Sequence, residues 1–324
     1  MTIRMPRRSA VTLAAAGILT STGTAYLGIR NLLASQADQT RTIIPKAWDQ
    51  PPRADGVYRP DAEPVQRWRR GMDVGLHLMV FGDSTATGYG CLNADEVPGA
   101  LIARALAEQS GTTVRLSTKA MVGATSRGLS GQVDAMFVAG PPPDVAVIMI
   151  GANDITALNG ISRSAYRLGT AVRRLHASGA VVAVGTCPDF GVINAIPQPL
   201  RWVTQFRGRQ LARAQAAAVR AAGGIPVPFA DLLAPEFHQA PELLFARDQY
   251  HPSAAGYALA ANQVIPALCA ALGLARDEPE PPPALPSTSV ATRAIACGAR
   301  LLAISPLRRR PTTGVPAPVV PTNN

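Results

Sequence analysis

Lysine is nearly missing from this chain. Its 324 residues hold two, Lys46 and Lys119, and neither stands in the glycine-rich loop with which P-loop proteins cradle a phosphate, so that class of nucleotide chemistry is excluded. Cysteine is scarce as well. The four residues Cys91, Cys187, Cys269 and Cys297 are too few and too scattered for a disulfide framework or a zinc site. Cys91 and Cys187 each follow an expected strand, which leaves one disulfide open between them; the alternative is that both are small packing residues. A dinucleotide fingerprint lacks its third glycine, because Asn93 stands where one is needed after Gly88-Tyr89-Gly90. The Gly-x-Ser-x-Gly elbow of α/β-hydrolases is incomplete too, with Ala86 in its last position. His77, His176 and His238 have no second histidine or carboxylate at metal-ligand spacing and read as structural or solvated.

Acidic charge is absent from both ends. Residues 1–30 carry Arg4, Arg7, Arg8 and Arg30 without an acid, and residues 284–324 carry five arginines without one. Nine of the ten net positive charges therefore sit in the tails. The middle of the chain is close to neutral, which excludes a basic groove built to follow phosphates and, with it, nucleic acid as partner.

Between Arg8 and Arg30 lies an uncharged stretch of 21 residues, Ser9 to Ile29. As a helix rising ~1.5 Å per residue it would span roughly 31 Å, enough to cross a hydrocarbon core. Residues 1–36 are accordingly expected to be a membrane anchor or an export signal. Length favours the anchor, whereas Gly23-Thr24-Ala25 and Ser35-Gln36-Ala37 fit small-x-small cleavage sites, and Arg7-Arg8 is a partial twin-arginine signal. The charge asymmetry puts the N-terminus inside and the bulk of the chain outside the membrane, held there by a single N-terminal anchor or secreted after cleavage.

Residues 37–72 are rich in proline and arginine and lack a sustained period, as in a spacer. From there to residue 274 five apolar runs alternate with amphipathic stretches. The runs are Leu76 to Phe81, Thr113 to Ser117, Val145 to Ile150, Val181 to Thr186 and Gly224 to Pro228. The stretches lie near Val97 to Ser110, Ser126 to Val138, Ser164 to Ser178, Leu200 to Ala222 and Ser253 to Leu272. The run Val-Ala-Val-Ile-Met-Ile does not alternate, as expected of a strand covered on both faces. The pattern predicts a three-layer α/β/α domain over 73–274, with a doubly wound, five-stranded parallel sheet. Residues 275–324 read as a Pro-rich, basic, largely disordered tail in which Val290 to Ile304 could form one short helix.

Parallel sheets bind ligands beyond the carboxyl ends of their strands. Past the first strand comes Gly82-Asp83-Ser84; past the second, Gly123-Ala124-Thr125-Ser126; past the third, Gly151-Ala152-Asn153-Asp154; and Asp248 and His251 precede the last helix, with Pro252 suited to its first turn. A serine hydroxyl needs a base, and a histidine needs an orienting carboxylate, so Ser84, His251 and Asp248 form a candidate Ser-His-Asp set. Gly123 offers an amide with no side chain in the way and Asn153 an NH2 group, both suited to a developing oxyanion. Each residue also has a structural alternative as a helix cap or turn former. Asp154 is expected to order a loop, Asp83 to make structural hydrogen bonds and Asp189 to form a turn.

These four blocks, in this order, resemble the SGNH, or GDSL-type, serine hydrolases over about residues 73 to 274. Thr85 departs from the leucine in the family's name at a position that does no chemistry. The resemblance implies a flavodoxin-like fold, Ser84 as nucleophile, His251 as base, Asp248 as its orienting acid, and an oxyanion hole made of the Ser84 and Gly123 amides and the Asn153 side chain. It implies an esterase working through an acyl-enzyme without metal or cofactor, on a small-molecule, lipid or glycan acyl ester. Alternatives on the same triad are an acyltransferase or a polysaccharide O-deacetylase; a non-catalytic envelope-binding protein is the alternative outside enzymology. Residues 187–200 follow the fourth strand, and Phe190 and Ile193 within them are candidates to line an acyl pocket.

Overall fold

A computed structural model of the chain describes residues 27–40, 42, 50–61 and 64–274. Its strands are β1 (Gly56–Tyr58), β2 (Leu76–Gly82), β3 (Val114–Thr118), β4 (Val145–Met149), β5 (Val181–Gly185) and β6 (Ile225–Val227). They form one sheet in the order β1-β3-β2-β4-β5-β6. β2 to β6 run parallel, and β1 pairs antiparallel with β3, Gly56 opposite Leu116 and Tyr58 opposite Val114. Five long helices cover the faces: α1 (Pro98–Ser110), α2 (Ser126–Ala139), α3 (Ile161–Ala177), α4 (Leu200–Ala221) and α5 (Ala254–Ala271).

Side chains alternate between the faces of a strand, and here both faces are buried, which is why β4 reads as an unbroken apolar run. Val80, Val147 and Met149 face one core with Ile102 and Leu106 of α1 and Val264 and Leu268 of α5. Phe81, Ala146 and Ile148 face the other with Leu129 and Val133 of α2 and Leu168 and Val172 of α3. α5 is the one helix among the described residues long and apolar enough to cross a membrane, with a mean hydropathy of 1.3. It is a core helix: Tyr257, Val264 and Leu268 are fully buried.

The expected three-layer architecture and its parallel strands are present, with two differences. The sheet has a sixth strand, and that strand comes from the stretch read as a spacer. Ala54, Val57 and Tyr58 are buried, and Val57 exchanges two backbone hydrogen bonds with Gln66, so part of 37–72 belongs to the domain. Gly-Val-Tyr is too short to show a period, which hid it. The disulfide left open between Cys91 and Cys187 is absent: both are buried free thiols, like Cys269. Burial pushes Cys91 up to about 12 and Cys187 well above its ordinary value, so both stay neutral.

Residues 27–40 are helical, and the candidate cleavage site Ser35-Gln36-Ala37 lies within that helix. Gln36 ties it to the loop ahead of α4: its Nε2 donates to the Gln198 carbonyl at 2.6 Å, and the Leu200 amide donates to its Oε1 at 3.1 Å. The rest of the expected anchor, and the tail from 275 onward, lie outside the described residues.

The sheet order fixes where a ligand can sit. The chain runs from β2 to β3 on one side and then returns from β3 past β2 to β4 on the other, so the connections on either side of β2 diverge and open a crevice at its carboxyl end. Gly82-Asp83-Ser84 occupies that point.

Candidate active site

Gly82 ends β2 at φ +134°, and a Cβ there would collide with the Met149 carbonyl of the adjacent strand, so only glycine allows the chain to turn so close to β4. Gln132 of α2 holds the turn from the other side. Its Oε1 accepts the Gly82 amide hydrogen at 2.8 Å and its Nε2 donates to the Gly82 carbonyl at 2.7 Å, all within the protein interior. Asp83 then caps the one-turn helix Ser84–Thr87, its Oδ1 accepting from the Thr85 amide at 2.9 Å. Ser84 is the first helical residue, so its amide has no carbonyl in a preceding turn to bond.

Fully enclosed, Asp83 has its carboxyl pushed up to about 6 by burial, against the opposing pull of the Thr85 amide. Its Oδ2 is buried without a hydrogen-bond partner.

The second arm comes from the segment before α5. Asp248 Oδ1 accepts from the amides of Tyr250 and His251, each at 3.0 Å, in a tight turn that places Gln249 at φ +54°. The same carboxylate's Oδ2 lies 2.6 Å from His251 Nδ1, and His251 Nε2 lies 3.0 Å from Ser84 Oγ. An ionised carboxylate only accepts, so Nδ1 carries the proton and Nε2 is left to accept from the serine hydroxyl. Burial works against the Asp248 anion, but the hydrogen bond from His251 and its charge outweigh it and hold the carboxyl below its usual range. Ser253, rather than Pro252, opens α5, with its Oγ accepting from the Gly256 amide at 3.2 Å. The Tyr89 ring packs 4.5 Å from the His251 ring and Tyr250 meets it edge-on at 5.0 Å, limiting how far the imidazole can swing.

Two further loops meet the serine turn. Gly123 adopts φ +80°, and a Cβ there would meet nothing within 4 Å, so the space in front of it is open. Asn153 Nδ2 donates to the Ala124 carbonyl at 3.0 Å, which fastens the loop after β4 to the loop after β3. Asp154 tightens this junction. Its carboxylate accepts from the Ser126 amide and the Ser126, Ser164 and Asn159 side chains, all between 2.8 and 2.9 Å. The expectation of a loop-ordering residue is met in these contacts. Asp189, expected as a turn residue, caps the short helix Phe190–Val192, and its Oδ2 accepts from both Nη2 and Nε of Arg209, at 2.7 and 3.2 Å.

A narrow, largely apolar pocket opens beside Ser84 and His251. Both sequence candidates line it: Phe190 is fully buried, its ring 3.1 Å from where a Cβ on Gly208 would stand, and Ile193 is nearly so. The remaining wall, chiefly Phe229, Leu233, Phe237 and Phe245, comes from the segment between β6 and α5 and was not singled out from the sequence. Isolated aromatics in a region of short helices carry no periodic signal. Gln132 was missed for a similar reason, being one amide on a helix 50 residues from the glycine it holds. His77 is structural, buried and hydrogen-bonded to Ser117 at 3.0 Å, its imidazolium form disfavoured by burial down to about 4. Among the described residues no cluster of His, Cys, Asp and Glu could hold a metal ion.

Comparison with known proteins bears on these residues. The sequence profile of the GDSL-like lipase/acylhydrolase family matches residues 80–259. The chain is 68% identical over 268 residues to a GDSL-like esterase of Mycobacterium tuberculosis, covering 83% of this chain and 85% of that one. Among solved structures, a lipase/acylhydrolase from Enterococcus faecalis superposes with a TM-score of 0.50 at 20% identity, over 60% of this chain and 96% of that one, which is a likeness of fold.

Proposed function

The chain belongs to the GDSL-like lipase/acylhydrolase family and is a serine ester hydrolase, and from that premise we propose that Ser84, His251 and Asp248 perform the hydrolysis through an acyl-enzyme. The observation that carries this reading is the continuous relay from Ser84 Oγ to His251 Nε2 at 3.0 Å and from His251 Nδ1 to Asp248 Oδ2 at 2.6 Å. His251 takes the hydroxyl proton as Ser84 Oγ bonds to the ester carbon, and the carbonyl electrons move to oxygen. The Ser84 amide, the Gly123 amide and the second hydrogen of Asn153 Nδ2 stabilise that oxygen, each well-aimed donor contributing ~2.7–4 kcal/mol. Collapse breaks the bond to the alcohol oxygen, which leaves with the proton from His251. Water then repeats the sequence on the acyl-serine, with His251 again as base, and releases the acid. Asp248 holds the imidazole tautomer and stabilises the imidazolium formed in both halves.

The acyl side of the substrate occupies the pocket formed by Phe190, Ile193, Phe229 and Phe237, whose apolar walls favour a hydrocarbon chain over an acetylated sugar. This favours the esterase over the polysaccharide deacetylase. The N-terminal segment tethers the domain on the outer side of a membrane, a reading supported by its arginines ahead of 21 uncharged residues. A fluorophosphonate probe tests the nucleophile: the full chain should be labelled and should hydrolyse p-nitrophenyl butyrate, and Ser84→Ala should lose both while keeping its circular dichroism. Labelling that survives in folded Ser84→Ala would assign the reaction to another residue.

A further inference from the structure

α3 and α4 lie side by side on the outside of the domain. Gly169 of α3 packs against the backbone of Ala218 of α4, and Arg207 donates to the Asn159 carbonyl at 3.1 Å. Neither helix contains an Asp or Glu. α3 carries Arg163, Arg167, Arg173 and Arg174, and α4 carries Arg201, Arg207, Arg209, Arg213 and Arg220. Arg174 pairs with Asp134 and Arg209 with Asp189. Solvent-facing helices usually mix the two signs of charge, and the middle of this chain as a whole is near neutral, so the bias is local to this face.

The outward stripe of α4 also breaks the amphipathic rule where it is nearest the N-terminal helix. Trp202 and Phe206, one turn apart, are 62% and 54% exposed, with ring centroids 6.0 Å apart and planes within 12° of parallel. Tyr166 of α3 is 68% exposed. The helix 27–40 is tied by Gln36 to the residues that begin α4 and exposes Leu27, Ile29 and Leu32. Directly before and overlapping it in sequence runs the uncharged stretch Ser9 to Ile29.

We propose that the outer face of α3 and α4 is a docking surface for an anionic lipid bilayer, with Trp202 and Phe206 at the boundary between headgroups and acyl chains and the arginines on lipid phosphates. An exposed basic surface with aromatic side chains is the composition of interfacial helices. A second copy of the chain is the poorer occupant, because a two-fold contact would set the arginines of one copy against those of the other. A nucleic acid would satisfy the charge but leaves the leucines and isoleucine of helix 27–40 unexplained. The surface is coupled to the pocket, since Gln205 and Arg209 of α4 both bond the Asp189 carboxylate, which begins the loop carrying Phe190 and Ile193. Docking therefore brings the pocket's loop to the lipid surface and presents esters held there. The docking does not rest on the catalytic reading and is measured without turnover.

The chain has three tryptophans, Trp48, Trp68 and Trp202, so subtracting the emission of full-length Trp202→Phe from that of the full chain isolates Trp202. With vesicles of brominated phosphatidylcholine and phosphatidylglycerol, that difference emission should be quenched at least about twofold, and much less with brominated phosphatidylcholine alone. Vesicle titration should weaken about fivefold for each of Arg163→Gln and Arg213→Gln. Hydrolysis of a soluble ester by the three variants should be unchanged, which verifies their folding. The proposal is overturned if the full chain floats with the vesicles while the Trp202 difference emission is unquenched, if the arginine variants titrate like the parent, or if Trp202 responds to duplex DNA and not to vesicles.

Discussion

Asp83 stands beside Ser84, the proposed nucleophile, as a carboxyl group with almost no exposure to water and one oxygen without a partner. Its folded-state value of about 6, raised by burial, lies above the ~3.9 of an unfolded aspartate. Between those values the folded chain keeps a proton that the unfolded chain has released. The contribution to stability is thus complete below pH ~4 and is lost as pH rises to about 6, amounting to roughly 2–3 kcal/mol at ~1.36 kcal/mol per unit. Asp248 acts in the opposite sense, since its depressed carboxyl contributes stability that disappears as pH falls. Asn at position 83 imitates the protonated acid and retains an acceptor for the Thr85 amide. Urea unfolding should therefore find Asp83→Asn more stable than the parent at pH 7.5, with the gap closing by pH 4; an equal gap at both would show that the carboxyl is not desolvated as described. None of this was legible in Gly-Asp-Ser, because burial is a property of what packs around a residue. The spacing of Asp248 and His251 was legible, because three residues on one turn determine their own geometry.

At the scale of elements, the site depends on contacts that join strand ends to distant helices. Gln215 of α4 does at β4 and β5 what Gln132 does at β2: its Nε2 donates to the Ile150 carbonyl at 2.9 Å and its Oε1 accepts from the Cys187 amide at 2.7 Å. Both amides are nearly or fully buried. Gln132→Leu keeps the volume roughly and removes both bonds, leaving the Gly82 amide unsatisfied inside the protein at a cost of about 1–3 kcal/mol. Because Gly82 sets the turn into Ser84, we expect kcat to fall by about tenfold or more with KM little changed, through misplacement of the hydroxyl relative to His251. Steady-state kinetics at a temperature where the variant stays folded checks this, and a loss confined to thermal stability would make Gln132 purely structural. The long helices and the central strands were readable because their residues repeat with a period, and the observed boundaries lie within three residues of the expected ones. β1 and the short helices between β6 and α5 span too few residues to repeat anything, and they supply an edge of the sheet and a wall of the pocket.

The whole molecule is therefore larger than its motifs. A fragment cut at Asp73, where the strand and helix alternation begins, would contain every residue assigned to the chemistry. It would also lose Val57 and Tyr58, both nearly inaccessible to water, and the hydrogen bond by which the Asp55 carboxylate accepts the Thr118 amide at 2.9 Å. Burial of two such side chains contributes about 3–6 kcal/mol, a large share of the ~5–15 kcal/mol that holds a domain together. Removing β1 also exposes the backbone of β3 along Val114 to Leu116 as a new sheet edge, open to pairing with another chain. A fragment of residues 50–274 should accordingly be soluble and monomeric at micromolar concentration, whereas 73–274 should unfold at a temperature at least about 10 °C lower or aggregate. Differential scanning calorimetry and size-exclusion chromatography of the pair decide the matter. Equal stability would mean that the sheet closes at β3 and that the arginine- and proline-rich stretch ahead of β2 is a spacer throughout. A large difference would place the domain boundary before Ala54, with the catalytic crevice, whose walls rest on the same sheet, depending on it.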